Sequence, residues 1–157
     1  MATTKVLMVC LGNICRSPLA EGILKSKIQN LDVVVDSAGT GAYHVGNLPD
    51  ARSIAVAKKN GIDITDQRAR KFELDDFDTF DFIYVMDKAN YQNVIRLAKT
   101  DAQKSKVKMI MDEVDLQKGI SVPDPYYGGD QGFENVYNML TLAADVIVNK
   151  IANKHER

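Results

Sequence analysis

Four short apolar runs punctuate the chain, and between them apolar residues recur at helical spacing. The runs are Lys5 to Cys10, Asp32-Val33-Val34-Val35-Asp36, Phe82-Ile83-Tyr84-Val85-Met86 and Val107-Lys108-Met109-Ile110-Met111. Each is short and bounded by polar or small residues, which predicts a buried strand. After the first run, Leu19, Ala20, Ile23, Leu24 and Ile28 form a stripe that predicts a helix from Ser17 to about Gln29, with Ser17 as N-cap and Pro18 as first helical residue. Pro49-Asp50 precedes an alanine-rich helix with Ile54, Ala55 and Ala57 toward the core, ending near Asn60-Gly61. Lys88 to about Ala98 is a further helix. The last starts near Phe133 and carries Val136, Tyr137, Leu140, Ala144, Ile147 and Ile151 on one stripe. Ser37 to Gly46 is a small-residue loop, Asp63 to Asp78 a charged loop with a short helix, and Asp112 to Gln131 a long polar connection.

Strands alternating with helices imply right-handed crossovers and a parallel sheet covered on both faces, a doubly wound three-layer α/β fold. At 157 residues and 45% hydrophobic content the chain is expected to be one domain spanning 1–157. Charge narrows its partners: a net charge of -1 offers no basic face for nucleic acid. No apolar run has membrane-spanning length and no signal-peptide pattern is present, so no membrane partner is expected. The only two cysteines, Cys10 and Cys15, lie in one loop, which excludes a disulfide scaffold and fits a reducing cytoplasmic location. A monomer or weak self-association is expected.

The chemistry concentrates where the first strand meets the first helix, in Cys10-Leu11-Gly12-Asn13-Ile14-Cys15-Arg16-Ser17-Pro18. Successive loop N–H groups and a helix N-terminus can converge on phosphate or another oxyanion. Gly12 permits a sharp turn, and Asn13 tolerates the left-handed region. Arg16 can grip two oxyanion oxygens with its planar fork. The same positive field favours a Cys10 thiolate, placed beneath the cradled phosphate as a nucleophile. A bare Cys-x5-Arg match is weak; the flanking strand and helix, with Gly and Asn inside and Ser-Pro after, strengthen it.

A phosphate monoester also needs a proton for its leaving oxygen. Val122-Pro123-Asp124-Pro125-Tyr126-Tyr127-Gly128 offers Asp124, its backbone restricted by two prolines. As acid it protonates the leaving group, and as carboxylate it then takes a proton from the hydrolytic water. Alone, Asp-Pro-Tyr-Tyr is an ordinary loop sequence. Tyr43, Tyr126 and Tyr127, with Leu11 and Ile14, can wall a slot for a phenyl ring.

Val9 to Pro18 resembles the signature of the low-molecular-weight protein tyrosine phosphatases, and the likeness runs from Lys5 to about Ile151 with a second motif at Asp124. The resemblance implies the strand order 2-1-3-4 and phosphotyrosine hydrolysis through a phosphocysteine on Cys10. It implies Arg16 as phosphate clamp, Asp124 as general acid then base, and substrate contacts from Leu11, Gly12, Asn13, Ile14, Cys15, Ser17, Tyr43, Tyr126 and Tyr127. Asn13 and Ser37 resemble the pair that locks the loop, Ser17 is placed to bond the thiolate, and Asp87 to orient Arg16. Phosphotyrosine proteins are the implied partners, small aryl phosphates further substrates, and no cofactor or metal is implied. Two departures stand out: Gln67 occupies a place where the family often has histidine, and Tyr43 one where many members have tryptophan.

Rival readings remain. Arsenate reductases sharing such a loop relay electrons through later cysteines, and none follows Cys15. Relatives acting on phosphoarginine tend to carry threonine where Ile14 stands and lack the tyrosine pair. A cysteine phosphate carrier would not need Asp124, and a phosphotyrosine-binding module would not need an intact nucleophile, clamp and acid.

Overall fold

The computed structural model describes residues 3–114, 119–126 and 129–155. Four parallel strands, β1 (Thr4–Cys10), β2 (Val33–Gly39), β3 (Phe82–Val85) and β4 (Val107–Met109), form one sheet in the order β2-β1-β3-β4. The helices are α1 (Arg16–Lys27), α2 (Ala51–Lys59), α3 (Asp76–Thr79), α4 (Lys88–Leu97), α5 (Asp101–Ser105) and α6 (Gly129–His155). Among the described residues no helix is long and apolar enough to cross a membrane.

The alternation of β1 creates two cores. Val6, Met8 and Cys10 face a cluster with Leu19, Ile23 and Leu24 of α1 and Val136, Leu140 and Ile147 of α6. Leu7 and Val9 face the other side, against Phe77 of α3 and Val94 of α4. Every one of these side chains is buried, and each fully buried aliphatic contributes about 1.5–3 kcal/mol. Because β1 is flanked by β2 and β3, the winding reverses at its carboxyl end, where ligands bind in such sheets.

Several expected boundaries move. Helix α1 begins at Arg16, not Ser17, and Cys15 at its N-cap makes no side-chain cap. The Ser17 hydroxyl is engaged by Cys10 and Asn13 instead, and Pro18 sits within the first turn, where a missing N–H costs nothing. In α2 the buried face is Ser53, Val56 and Ala57, while Ala55 is exposed. Ser53 is held inward by donating to Cys15 O at 3.2 Å, which rotates Ala55 outward. Strand β2 runs on through Ser37 to Gly39, because Cys10 pairs in register with Gly39. Strand β4 stops at Met109, and Ile110–Glu113 tightens into a 3₁₀ turn. Helix α5 was not foreseen, although Thr100 caps it by accepting from Gln103 N. Helix α6 starts at Gly129, before Phe133.

Candidate active site

Cys10 ends β1, and its thiol lies at the floor of a cleft of about 360 Å³. Leu11, Gly12, Ile14, Cys15, Arg16, Tyr43, His44, Asp124 and Tyr126 complete the lining. Cys10 is only 2% exposed, so a reacting group reaches it through that cleft. The loop curls round the sulfur: Asn13 N donates to Cys10 Sγ at 3.3 Å, and Ser17 Oγ lies 3.0 Å from it.

The turn is possible because Asn13 adopts φ 58°, the one non-glycine positive φ among the described residues. Its side chain repays that conformation with three hydrogen bonds. Asn13 Nδ2 donates to Ser17 Oγ (2.7 Å) and Ser37 Oγ (2.9 Å), and Oδ1 accepts from Arg70 N (3.0 Å). A second brace comes from the end of β2, where Thr40 N and Gly41 N donate to the carbonyls of Cys10 and Leu11. That approach demands a glycine, since a Cβ at Gly39 would lie 2.7 Å from Leu11 O.

Arg16 is buried and gripped on one side. Its Nη1 donates to Asp87 Oδ2 at 2.7 Å and to Val122 O at 2.9 Å. Among the described residues Nε makes no hydrogen bond, and Nη2 stands 3.9 Å from Asp124 Oδ2. The Nε–Nη2 edge is thus the one available for a bidentate oxyanion. Asp87 does two things at once: Oδ2 holds Arg16 while Oδ1 caps α4 through Asn90 N at 2.8 Å.

Asp124 is half exposed on the wall, its Oδ1 accepting from Tyr126 N at 3.0 Å. Val122, just before it, is tied to β3 by a hydrogen bond to Met86 O. The Tyr126 ring lies 5.3 Å beneath the Arg52 guanidinium, which also stands 4.6 Å over Phe133 and is forked by Asp50. Tyr43 lines the cleft but is 75% exposed, so it is a rim and not a closed wall. Tyr127 lies outside the described residues.

Sequence reasoning assigned no role in the site to two residues. His44 lines the cleft, its Cδ2 at 3.0 Å from where a Cβ on Gly12 would stand; Arg52, outside the cleft lining, stacks on Tyr126 from α2. The Cys-x5-Arg spacing carries no signal for either, because both arrive from distant segments. Gln67 donates from Nε2 to Pro18 O at 3.0 Å and so ties the 63–78 segment to the first turn of α1. Burial first, then the nearby Asp50 carboxylate, push the Cys15 pKa up to about 12, which disfavours its thiolate at neutral pH.

These features define a doubly wound α/β protein with a buried cysteine and arginine at the switch crevice. The family model for low molecular weight phosphotyrosine protein phosphatase matches residues 5–157. The low molecular weight phosphotyrosine protein phosphatase of Schizosaccharomyces pombe is 43% identical over 155 residues, covering 94% of this chain and 97% of its own. A crystal structure of the Entamoeba histolytica protein tyrosine phosphatase, with Hepes in its active site, superposes with a TM-score of 0.90 at 38% identity, covering 98% of this chain and 99% of that one. A Drosophila arginine phosphatase superposes with a TM-score of 0.87 at 33% identity, covering 94% and 97%. The chain belongs to the low molecular weight phosphotyrosine protein phosphatases, a family of cysteine-dependent phosphatases.

Proposed function

We propose that the chain, acting as one domain over residues 1–157, hydrolyses phosphotyrosine in proteins, and small aryl phosphates, through a phosphocysteine on Cys10. The observation that carries this reading is the convergence of Cys10, Arg16 and Asp124 on one cleft. The Cys10 thiolate attacks phosphorus, an S–P bond forms and the P–O bond to the phenol breaks. Asp124 gives its proton to the departing oxygen. In the second step the Asp124 carboxylate takes a proton from water, the water oxygen bonds to phosphorus, and Cys10 leaves again as thiolate.

Arg16 and the loop amides stabilise charge on the transferred phosphoryl group, so the reading needs no metal or cofactor. Leu11, Gly12, Asn13, Ile14, Cys15 and Ser17 supply the loop, with Ser37 and Asp87 in support. Ile14, Tyr43 and Tyr126 give the cleft an apolar and aromatic lining, which suits a phenyl ring. A reducing cytoplasm suits the Cys10 thiol.

The test is hydrolysis of a series of aryl phosphates, with chelator and reductant present, by the wild-type chain, Cys10→Ser and Asp124→Ala. Turnover that vanishes in Cys10→Ser, and that falls in Asp124→Ala most for poor leaving groups, is the expected result. No turnover by the reduced wild-type protein defeats the reading.

A further inference from the structure

We infer that the groove between α2 and α6, on the far side of Arg52 from the cleft, takes an apolar side chain of the substrate protein, borne about three residues from the phosphotyrosine. This rests on phosphotyrosine occupying the cleft and deepens that reading by naming a second feature the substrate carries.

The groove, of about 310 Å³, is close in volume to the cleft, of about 360 Å³. Ala51, Ala55 and Val56 of α2 and Phe133 of α6 give it apolar walls. Arg52 joins the two hollows. It lines the groove, and its Cζ stands 4.6 Å from the ring centre of Phe133 and 5.3 Å from that of Tyr126, which lines the cleft. The two ring centres are therefore within about 10 Å of each other, a span that about three residues of extended chain cover. A substrate segment lying across the cleft mouth reaches the groove without leaving the surface.

Charge selects the occupant. The groove carries two cations, and each has its own carboxylate. Arg52 donates from Nε to Asp50 Oδ1 at 3.0 Å and from Nη2 to Asp50 Oδ2 at 3.1 Å, while Lys59 Nζ lies 2.8 Å from Glu134 Oε1. Formal charge round the groove is thus balanced, and an acidic side chain would have to compete with Asp50 or Glu134 for a partner. An apolar side chain leaves water against Phe133 and the aliphatic walls and asks no cation to leave its carboxylate. Leucine, methionine or phenylalanine supplies such a group.

The floor is preformed, because Val56 and Phe133 are buried members of the core that α1 and α6 share. Ala51 and Ala55 are exposed, so a partner's side chain enters without either helix moving. No residue of the groove lines the cleft. Binding there is therefore equal in the ground state and the transition state, and its effect falls on KM for a peptide and not on kcat.

The test is phosphate release from phosphotyrosine peptides in which a single leucine is moved through every position on both sides of the phosphotyrosine in a glycine-serine background. A small aryl phosphate is the control. Leucine at one position, about three residues away, is expected to lower KM roughly three- to tenfold against serine, and aspartate there is not. Ala55→Gln and Ala51→Gln, each at an exposed site, fill the groove and should abolish that advantage while leaving the aryl phosphate kinetics unchanged. If the wild-type chain turns over the aryl phosphate but shows no leucine advantage at any position, the inference falls alone. It falls too if the advantage survives both variants, or if aspartate outranks leucine. A dimer in sedimentation that Ala55→Gln dissociates, with no leucine advantage in the peptides, gives the groove to a second copy of the chain instead. No turnover of aryl phosphate or of any peptide defeats the phosphotyrosine reading, and the inference with it.

Discussion

Asp87 Oδ2 lies 2.7 Å from Arg16 Nη1, while its other oxygen holds the first turn of α4. One carboxylate thus fixes a guanidinium at the start of α1 and a helix that starts after β3. Asp87→Asn should keep the cap, because asparagine caps as well as aspartate, yet remove the charge that orients Arg16. Stability should fall by roughly 3 kcal/mol, because the buried Arg16 guanidinium loses its charged partner, while kcat on an aryl phosphate falls roughly tenfold or more. Asp87→Ala should show the same kcat loss with about 1 kcal/mol of added destabilisation from the lost cap. Urea unfolding and steady-state kinetics on both variants separate the two functions; equal kcat for wild type and Asp87→Asn would remove the positioning role.

Asn13 combines a left-handed backbone with three hydrogen bonds, and the two contributions can be divided. Asn13→Ala loses both and should destabilise by roughly 2–4 kcal/mol. Asn13→Gly loses only the side-chain bonds, so it should be about 1 kcal/mol more stable than Asn13→Ala. Both should lose kcat alike, since the loop brace is absent in each. If the alanine variant matches the glycine variant in thermal and urea unfolding, the φ of 58° carries no strain.

The sequence made β1, its cysteine loop and the buried faces of α1 and α6 legible because local spacing encodes them. A period of two or of 3.6 needs no knowledge of distant residues. The strand order came from the family likeness, not from periodicity, since nothing in a four-residue run such as Phe82–Val85 names its neighbours. The start of α1 was misplaced for a physical reason: Ser17 has cap chemistry but is captured by Cys10 and Asn13. His44 and Arg52 were not legible as contributors to the site, because their places beside the cleft exist only after the loop behind β2 and helix α2 close around it. Asp87 was legible by its place at a strand end, which a topological rule makes informative.

Arg52 is forked by Asp50 and lies over the rings of Tyr126 and Phe133, an arrangement that needs a planar cation. Arg52→Lys keeps the charge but loses the fork and the flat stacking. With the Tyr126 wall loosened, KM for an aryl phosphate should rise roughly three- to tenfold, in keeping with a cation–π contact of about 1 kcal/mol. The kcat should stay within about twofold, since Arg52 touches none of the groups assigned to the chemical step. A kcat loss with unchanged KM would show instead that Arg52 positions Asp124.

Two glutamates make the stability of the fold depend on pH in opposite senses. Burial raises the Glu21 pKa above its ordinary 4.5. Between that value and its folded one, the native state holds a proton that the unfolded chain has released, so stability falls as pH rises through the window. At Glu113, burial also works to raise the pKa, but hydrogen bonds from Tyr84 (2.6 Å) and Lys150 (3.0 Å) outweigh it and hold the group below 4.5. There the unfolded chain is the better proton acceptor, so the stabilisation is complete above the unfolded pKa and is lost as pH falls through the folded one. Urea midpoints across the acid to neutral range should therefore lose their decline above about pH 4.5 in Glu21→Gln, and part of their acid-side decline in Glu113→Gln. Identical slopes in wild type and Glu21→Gln above that pH would mean that Glu21 ionises in the fold as it does in the open chain.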